Sequence, residues 1–171
     1  MLTTQACYIK QRQENAFAIV NDGVATGQNF IACETGMITE IGVRFATVGE
    51  NTNKLQLQMA TGPNTLSPEY TQEFQVKEAG DLLIQLLTPF PVEEGQVYAF
   101  TIFGADNPDA SANLAGFNGN PYANGLAINQ SNGSVNNFSS DMDFSVTIVE
   151  GPPPTSTQEI VTDNNLLRLH D

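Results

Sequence analysis

The sequence predicts an all-β protein, an antiparallel two-sheet β-sandwich of jelly-roll type, and three observations carry that expectation. Apolar and polar residues alternate through long stretches: Ile41, Val43 and Phe45 oppose Glu40, Gly42 and Arg44, and Leu55, Leu57 and Met59 oppose Lys54, Gln56 and Gln58. A period of two places one face of a strand in a core and the other in water. Short clusters of turn formers separate the stretches, and no segment before the tail holds an apolar stripe at the 3.6-residue helical period.

In chain order, the pattern predicts strands at 6–10, 16–20, 28–33, 37–47, 54–60, 69–76, 81–86, 97–103, 126–130 and 141–149. The breaks include Asn21-Asp22-Gly23, Glu34-Thr35-Gly36, Gly62-Pro63-Asn64 and Glu93-Glu94-Gly95. Asn, Asp and Gly tolerate or demand turn dihedrals, and Pro presets one. Many short strands at this spacing read as a sandwich rather than a parallel α/β sheet. Residues 106–124, dense in Asn, Gly, Ala and Pro, read as one long ordered loop, the kind of segment that carries binding on a rigid scaffold. Phe117 and Tyr122 within it are expected either to pin the loop over the core or to meet a ligand.

The sandwich is expected to span 1–150, with residues 151–171 forming a Pro-rich hinge and a short C-terminal tail. Gly151-Pro152-Pro153-Pro154 stops the sheet, because proline lacks a ladder donor and consecutive prolines favour polyproline II. Ile160, Val161, Leu166, Leu167 and Leu169 make the tail too apolar for an idle end, so they are the expected assembly residues.

Six basic residues stand against 19 acidic ones, a net charge of −13, and none of the basic ones lies between Glu78 and Leu167. Phosphate backbones and anionic lipid surfaces both demand Lys and Arg, so neither nucleic acid nor a membrane surface is an expected partner. The acidity reads first as solubility and second as a cation-dependent surface. No apolar run approaches the roughly 18 residues that suggest a membrane span. The first residues lack the apolar core of a signal peptide, so an extracellular role implies a longer precursor or another export route. Cys7 and Cys33 fit no zinc pattern; two free, half-buried thiols are the first expectation and a single bridge the second.

Reactive chemistry finds little material. His170, the only histidine, sits next to the chain end, where no rigid frame holds it as a base. Glu93 and Glu94 are adjacent in a turn. Asp141 and Asp143 share a strand face in the expected pattern and make the better carboxylate pair for a hydrolase, but as solvated acids at a strand start they lack matched environments. No enzyme is expected. Asp106, Asn107 and Asp109 concentrate oxygen ligands in one loop, a possible calcium site without EF-hand spacing. Asn118, Asn120, Tyr122 and Asn124 form the one local set of an aromatic with amides that suits a sugar ring.

Several stretches in order, GQNFIACETGMITEIGVRF (27–45), LQLQMATGPN (55–64), PFPVEEGQVYAFTI (89–102), GNPYANG (119–125) and DMDFSVTI (141–148), resemble bacterial, Bacteroidetes-type extracellular jelly-roll modules of surface adhesins and tail-fibre-like proteins. The resemblance covers about 16–149. It implies a non-catalytic structural or recognition subunit of an extracellular fibre, or of a phage-tail-like, contractile-injection assembly. A leaderless short chain suits the second of these. Its partners would be further copies or neighbouring subunits at the cell surface or in a secreted particle. The other implied role is a lectin-like carbohydrate-binding module, with calcium as its only candidate cofactor.

Overall fold

The computed structural model describes residues 5–49, 54–104 and 111–151. All regular structure among them is strand: β1 (Gln5–Gln11), β2 (Ala16–Asn21), β3 (Ala25–Ile31), β4 (Gly36–Val48), β5 (Leu55–Thr61), β6 (Tyr70–Phe74) and β7 (Gly80–Val92). β8 (Val97–Phe103), β9 (Ser111–Phe117), β10 (Ala127–Ser131), β11 (Ser134–Phe138), β12 (Asp141–Met142) and β13 (Phe144–Val149) follow. All the pairings are antiparallel, and they build two sheets.

The first sheet has a body in the order β1-β13-β4-β7. Where β13 ends its pairing with β4, β9 takes over along Phe45–Val48. β2 then pairs β9 on one side and β12 pairs its end on the other. The second sheet runs β11-β10-β3-β8-β5-β6. Between the sheets the alternating residues interlock as the period of two requires, with Phe30, Phe45, Phe100, Phe144, Ile38, Ile41, Leu57 and Ile102 essentially inaccessible. Phe100 meets Phe144 across the layers at 5.9 Å between ring centroids.

Three expectations are corrected. The segment 106–124 is not one loop, because β9 runs through it. Its sequence, SANLAGF, holds weak strand formers, and what makes it a strand is the pairing with β2 and β4 on its two edges. The single strand expected at 141–149 is broken at Asp143 into β12 and β13. Cys7 and Cys33 are not free thiols: they form a disulfide that ties β1 of the first sheet to the chain just beyond β3 of the second. Two further elements depart from expectation. β7 continues to Val92 through Pro89 and Pro91, which its position as an edge paired only with β4 permits. β11 was not expected, although Asn132-Gly133 links it to β10 with φ of 49° and 75°, the backbone of a tight hairpin turn.

The two long edges of the sandwich are finished differently. On the β6/β7 side, side chains seal the gap. Gln72 Nε2 donates to the Gln85 carbonyl at 3.0 Å, and the Leu87 amide donates to Tyr70 Oη at 3.1 Å and to Gln72 Oε1 at 3.0 Å. On the opposite side, β10 and β11 extend the second sheet beyond β3, while among the described residues the first sheet ends at β2. The outer face of the second sheet is closed in turn by the 62–68 connection. There Thr65 bonds Gln130 Oε1 at 2.7 Å and the Thr101 hydroxyl at 2.6 Å.

Candidate binding groove

A groove of about 520 Å³ lies in the open side of the sandwich, between β2 and the overhanging β10–β11 hairpin. Its rim carries Phe17, Ile19 and Phe138, which are 69%, 54% and 46% exposed. Such side chains normally seek cover, and here three of them stand around one concavity. Polar groups in the lining include Asn118, Asn129 and Asp141.

The backbone of β2 is open toward this groove. Thr26 Oγ1 donates to the Ile19 carbonyl at 2.6 Å, and both backbone groups of Asn21 are bonded, to the Val24 carbonyl and the Gly104 amide. Residues 19 and 21 therefore turn their backbones away from β9, and the two-residue period turns that of Phe17 the same way. The Ala115 carbonyl, opposite Phe17, agrees: it accepts from the Asp143 amide on the far side of β9. The N–H and C=O of Phe17 thus face outward without a partner among the described residues.

Beneath the groove lies a buried polar cluster. Asp141, 1% exposed, accepts from Gln28 Nε2 at 2.8 Å through one oxygen and from the Tyr122 amide at 2.7 Å through the other. With its amide nitrogen turned inward, Asn120 adds a 3.1 Å bond to the same second oxygen and also donates to the carbonyls of Tyr122 and Gly125. Gln28 uses its remaining oxygen to accept from the Met142 amide at 2.9 Å. All these donors are neutral, so desolvation dominates and lifts the Asp141 carboxyl above its ordinary value.

Asp143 has a different solution. Arg12 Nη1 meets it at 2.8 Å and also reaches Asp81 at 3.4 Å, while Arg44 spans from Asp81 to Glu14. This chain of charges fastens the corner between β1 and β2 to β4, β7 and the break before β13. Burial still outweighs the arginine and raises the Asp143 carboxyl, whereas the hydrogen bond and charge of Asp143 overcome burial at Arg12 and raise the guanidinium. Asp141 and Asp143 are thus not solvated acids sharing one strand face, as the alternation suggested. Both are buried, each is held by its own partners, and the chain bends between them.

A carboxyl whose folded value lies above its unfolded one binds protons more tightly in the folded state. Asp141 and Asp143 therefore contribute most stability below their ordinary value near 3.8, and that contribution is lost as pH rises through the raised values. Carboxyl-carbon NMR titration is expected to place both midpoints above those of exposed aspartates; midpoints at or below 3.8 would contradict the burial argument.

The sugar-type set of the sequence reading divides. Tyr122 pins its loop: its hydroxyl accepts from the Ile31 amide at 3.2 Å and its ring stands edge-on to Phe144 at 5.4 Å. Asn120 serves the Asp141 cluster. Asn118 reaches the groove lining, and its amide donates to Asn15 Oδ1 at 2.8 Å. Asn124 is exposed. Gly125 closes the loop where a Cβ would lie 1.9 Å from the Asn29 carbonyl oxygen, so only glycine fits. Removing the Tyr122 hydroxyl (Tyr122→Phe) should cost about 1–2 kcal/mol by orphaning the Ile31 amide, and Tyr122→Ala about 3 kcal/mol or more. Denaturant melts of the two variants check this order.

The calcium candidates Asp106, Asn107 and Asp109 lie outside the described residues, as do His170 and the assembly candidates Ile160, Val161, Leu166, Leu167 and Leu169. Among the described residues no group of three or more His, Cys, Asp or Glu side chains could hold a metal ion. Phe17, Ile19 and Phe138 were missed as site residues. Phe17 and Ile19 occupy the face of β2 that the alternation leaves outward, and an apolar pair there was the available signal. In comparison with known proteins, no family model matches the chain and no curated protein matches it significantly.

Proposed function

We infer that this protein is a non-catalytic recognition and assembly subunit, of jelly-roll type, belonging to an extracellular fibre or a phage-tail-like assembly. The observation that carries the reading is the groove rimmed by exposed Phe17, Ile19 and Phe138. A surface of this kind is costly in a protein that meets no partner. The strand orders β1-β13-β4-β7 and β3-β8-β5-β6 support the jelly-roll subtype, since the chain alternates between sheets and its first and last strands lie side by side. The Cys7–Cys33 bridge supports an oxidising, extracellular setting. Sedimentation of the full chain tests the reading: concentration-dependent self-association is expected, and a monomer at all concentrations would count against assembly.

Carbohydrate recognition is a second reading, favoured by one observation. The groove brings two exposed rings, Phe17 and Phe138, together with the amides of Asn118 and Asn129, and rings with flanking amides are what a sugar's apolar face and hydroxyls require. A glycan array with and without calcium tests it. Saturable binding lost in Phe17→Ala and Phe138→Ala would support this reading, and a blank array would remove it.

A further inference from the structure

Resting on the assembly reading above, a more specific partner can be argued for the groove. We propose that the open β2 edge accepts residues 166–169 of a second copy as an added strand, with Leu167 and Leu169 entering the groove. The slot has the dimensions of a strand. Among the described residues the first sheet stops at β2, while the second continues through β10 and β11, two strands at about 4.8 Å each. One strand laid against β2 would sit opposite the first strand of that overhang. Phe17 offers it a main-chain pair, an N–H and C=O that point outward without a partner among the described residues, whereas the Ile19 carbonyl and both backbone groups of Asn21 are already tied to Thr26, Val24 and Gly104. Strand addition takes its affinity from such a backbone edge and its specificity from pockets for alternate side chains.

Gly151 lies against Met37, at the end of β13 remote from Phe144. The groove is lined by Met142 and Gly116, beyond the other end of that strand. Six strand residues separate the two places, roughly 20 Å. The next residues are Pro152, Pro153 and Pro154, which disfavour an immediate reversal toward the chain's own groove. Residues 152–166 reach up to about 50 Å when extended, enough to meet a neighbour. Leu167-Arg168-Leu169 then supplies two apolar side chains at the strand spacing, the pattern that Ala16, Ala18 and Phe138 in the lining would cover. The contact is head-to-tail, so it can propagate into a fibre.

Two full-length variants test the proposal. Phe17→Asp with Phe138→Asp damages only the exposed rim, and Leu167→Asp with Leu169→Asp damages only the tail. Each is expected to weaken self-association about 100-fold or more by removing two apolar anchors. Mixed, they are expected to form a 1:1 heterodimer that grows no further, because one intact tail finds one intact groove. That product also shows that both variants are folded. If wild type associates and both variants associate equally well, the strand-addition proposal is overturned while the assembly reading survives. If the variants separately fail to associate and the mixture stays monomeric, the pairing of this tail with this groove is overturned. Monomeric wild type would overturn both.

Discussion

Asp141→Ala is expected to destabilise the fold by about 3 kcal/mol or more, because the carboxylate is the acceptor on which one edge of the sandwich converges. Its removal leaves Gln28 Nε2, the Tyr122 amide and the Asn120 amide nitrogen without their acceptor, in a place that is 1% exposed. Each orphaned buried donor costs about 1–3 kcal/mol, offset in part by relief of the carboxylate's own desolvation. Asp141→Asn should cost less, about 2 kcal/mol. Its remaining oxygen keeps one side of the cluster, but its NH₂ then opposes a donor on the other. Gln28 cannot simply turn over in response, since its oxygen already accepts from Met142. Thermal melts should show Asp141→Ala below Asp141→Asn below wild type. Equal melting of all three would mean that the cluster contributes nothing.

Reduction of the Cys7–Cys33 bridge, or Cys7→Ser with Cys33→Ser, is expected to lower stability by about 3 kcal/mol. The bridge closes a loop with a sequence separation of 26, and the entropy of that loop is released to the unfolded chain when the bond is lost. For a domain of this size the melting temperature should fall by about 10 °C. The native contacts themselves need not change. β1 stays paired to β13 over Gln5–Gln11, and the bridge acts chiefly by holding that edge strand to the far sheet. Melting with and without reductant measures the effect, and the double-serine variant should be insensitive to reductant. An unchanged melting temperature would show that the β1–β13 ladder alone holds the edge.

The two predictions also show how differently the same sequence reads at different distances. Ile41, Val43 and Phe45 could be assigned to a core from their own neighbours, because alternation is a local property and the sheet simply honours it. SANLAGF at 111–117 could not be assigned in that way. Its Ala, Asn, Ser and Gly residues carry no strand signal of their own, and its conformation comes from β2 and β4 on its two edges. Asn132-Gly133 stands between these cases: the turn signal was present, but β11, with Ser134, Asn136 and Asn137 exposed, has Val135 and Phe138 three apart and so lacks the alternation that marks a strand. Asp141 and Asp143 looked like solvated acids, since nothing within ten residues reveals that Gln28 and Arg12 lie against them.

The groove was the least legible feature. Phe17 and Ile19 are visible as apolar residues on a short strand, but Phe138 lies 121 positions from Phe17, and only the overhang of β10 and β11 brings the rings to one concavity. By itself the sequence determined the strand class, most strand positions, the acidic character and the poverty in reactive groups, all of which depend on residue type and short-range period. Tertiary structure alone decided that Cys7 meets Cys33, that Asp141 organises Tyr122, Asn120 and Gln28, and that a groove lies between β2 and the β10–β11 hairpin. Those outcomes depend on which distant strands become neighbours, and the sum of many weak contacts, rather than any local signal, selects that pairing.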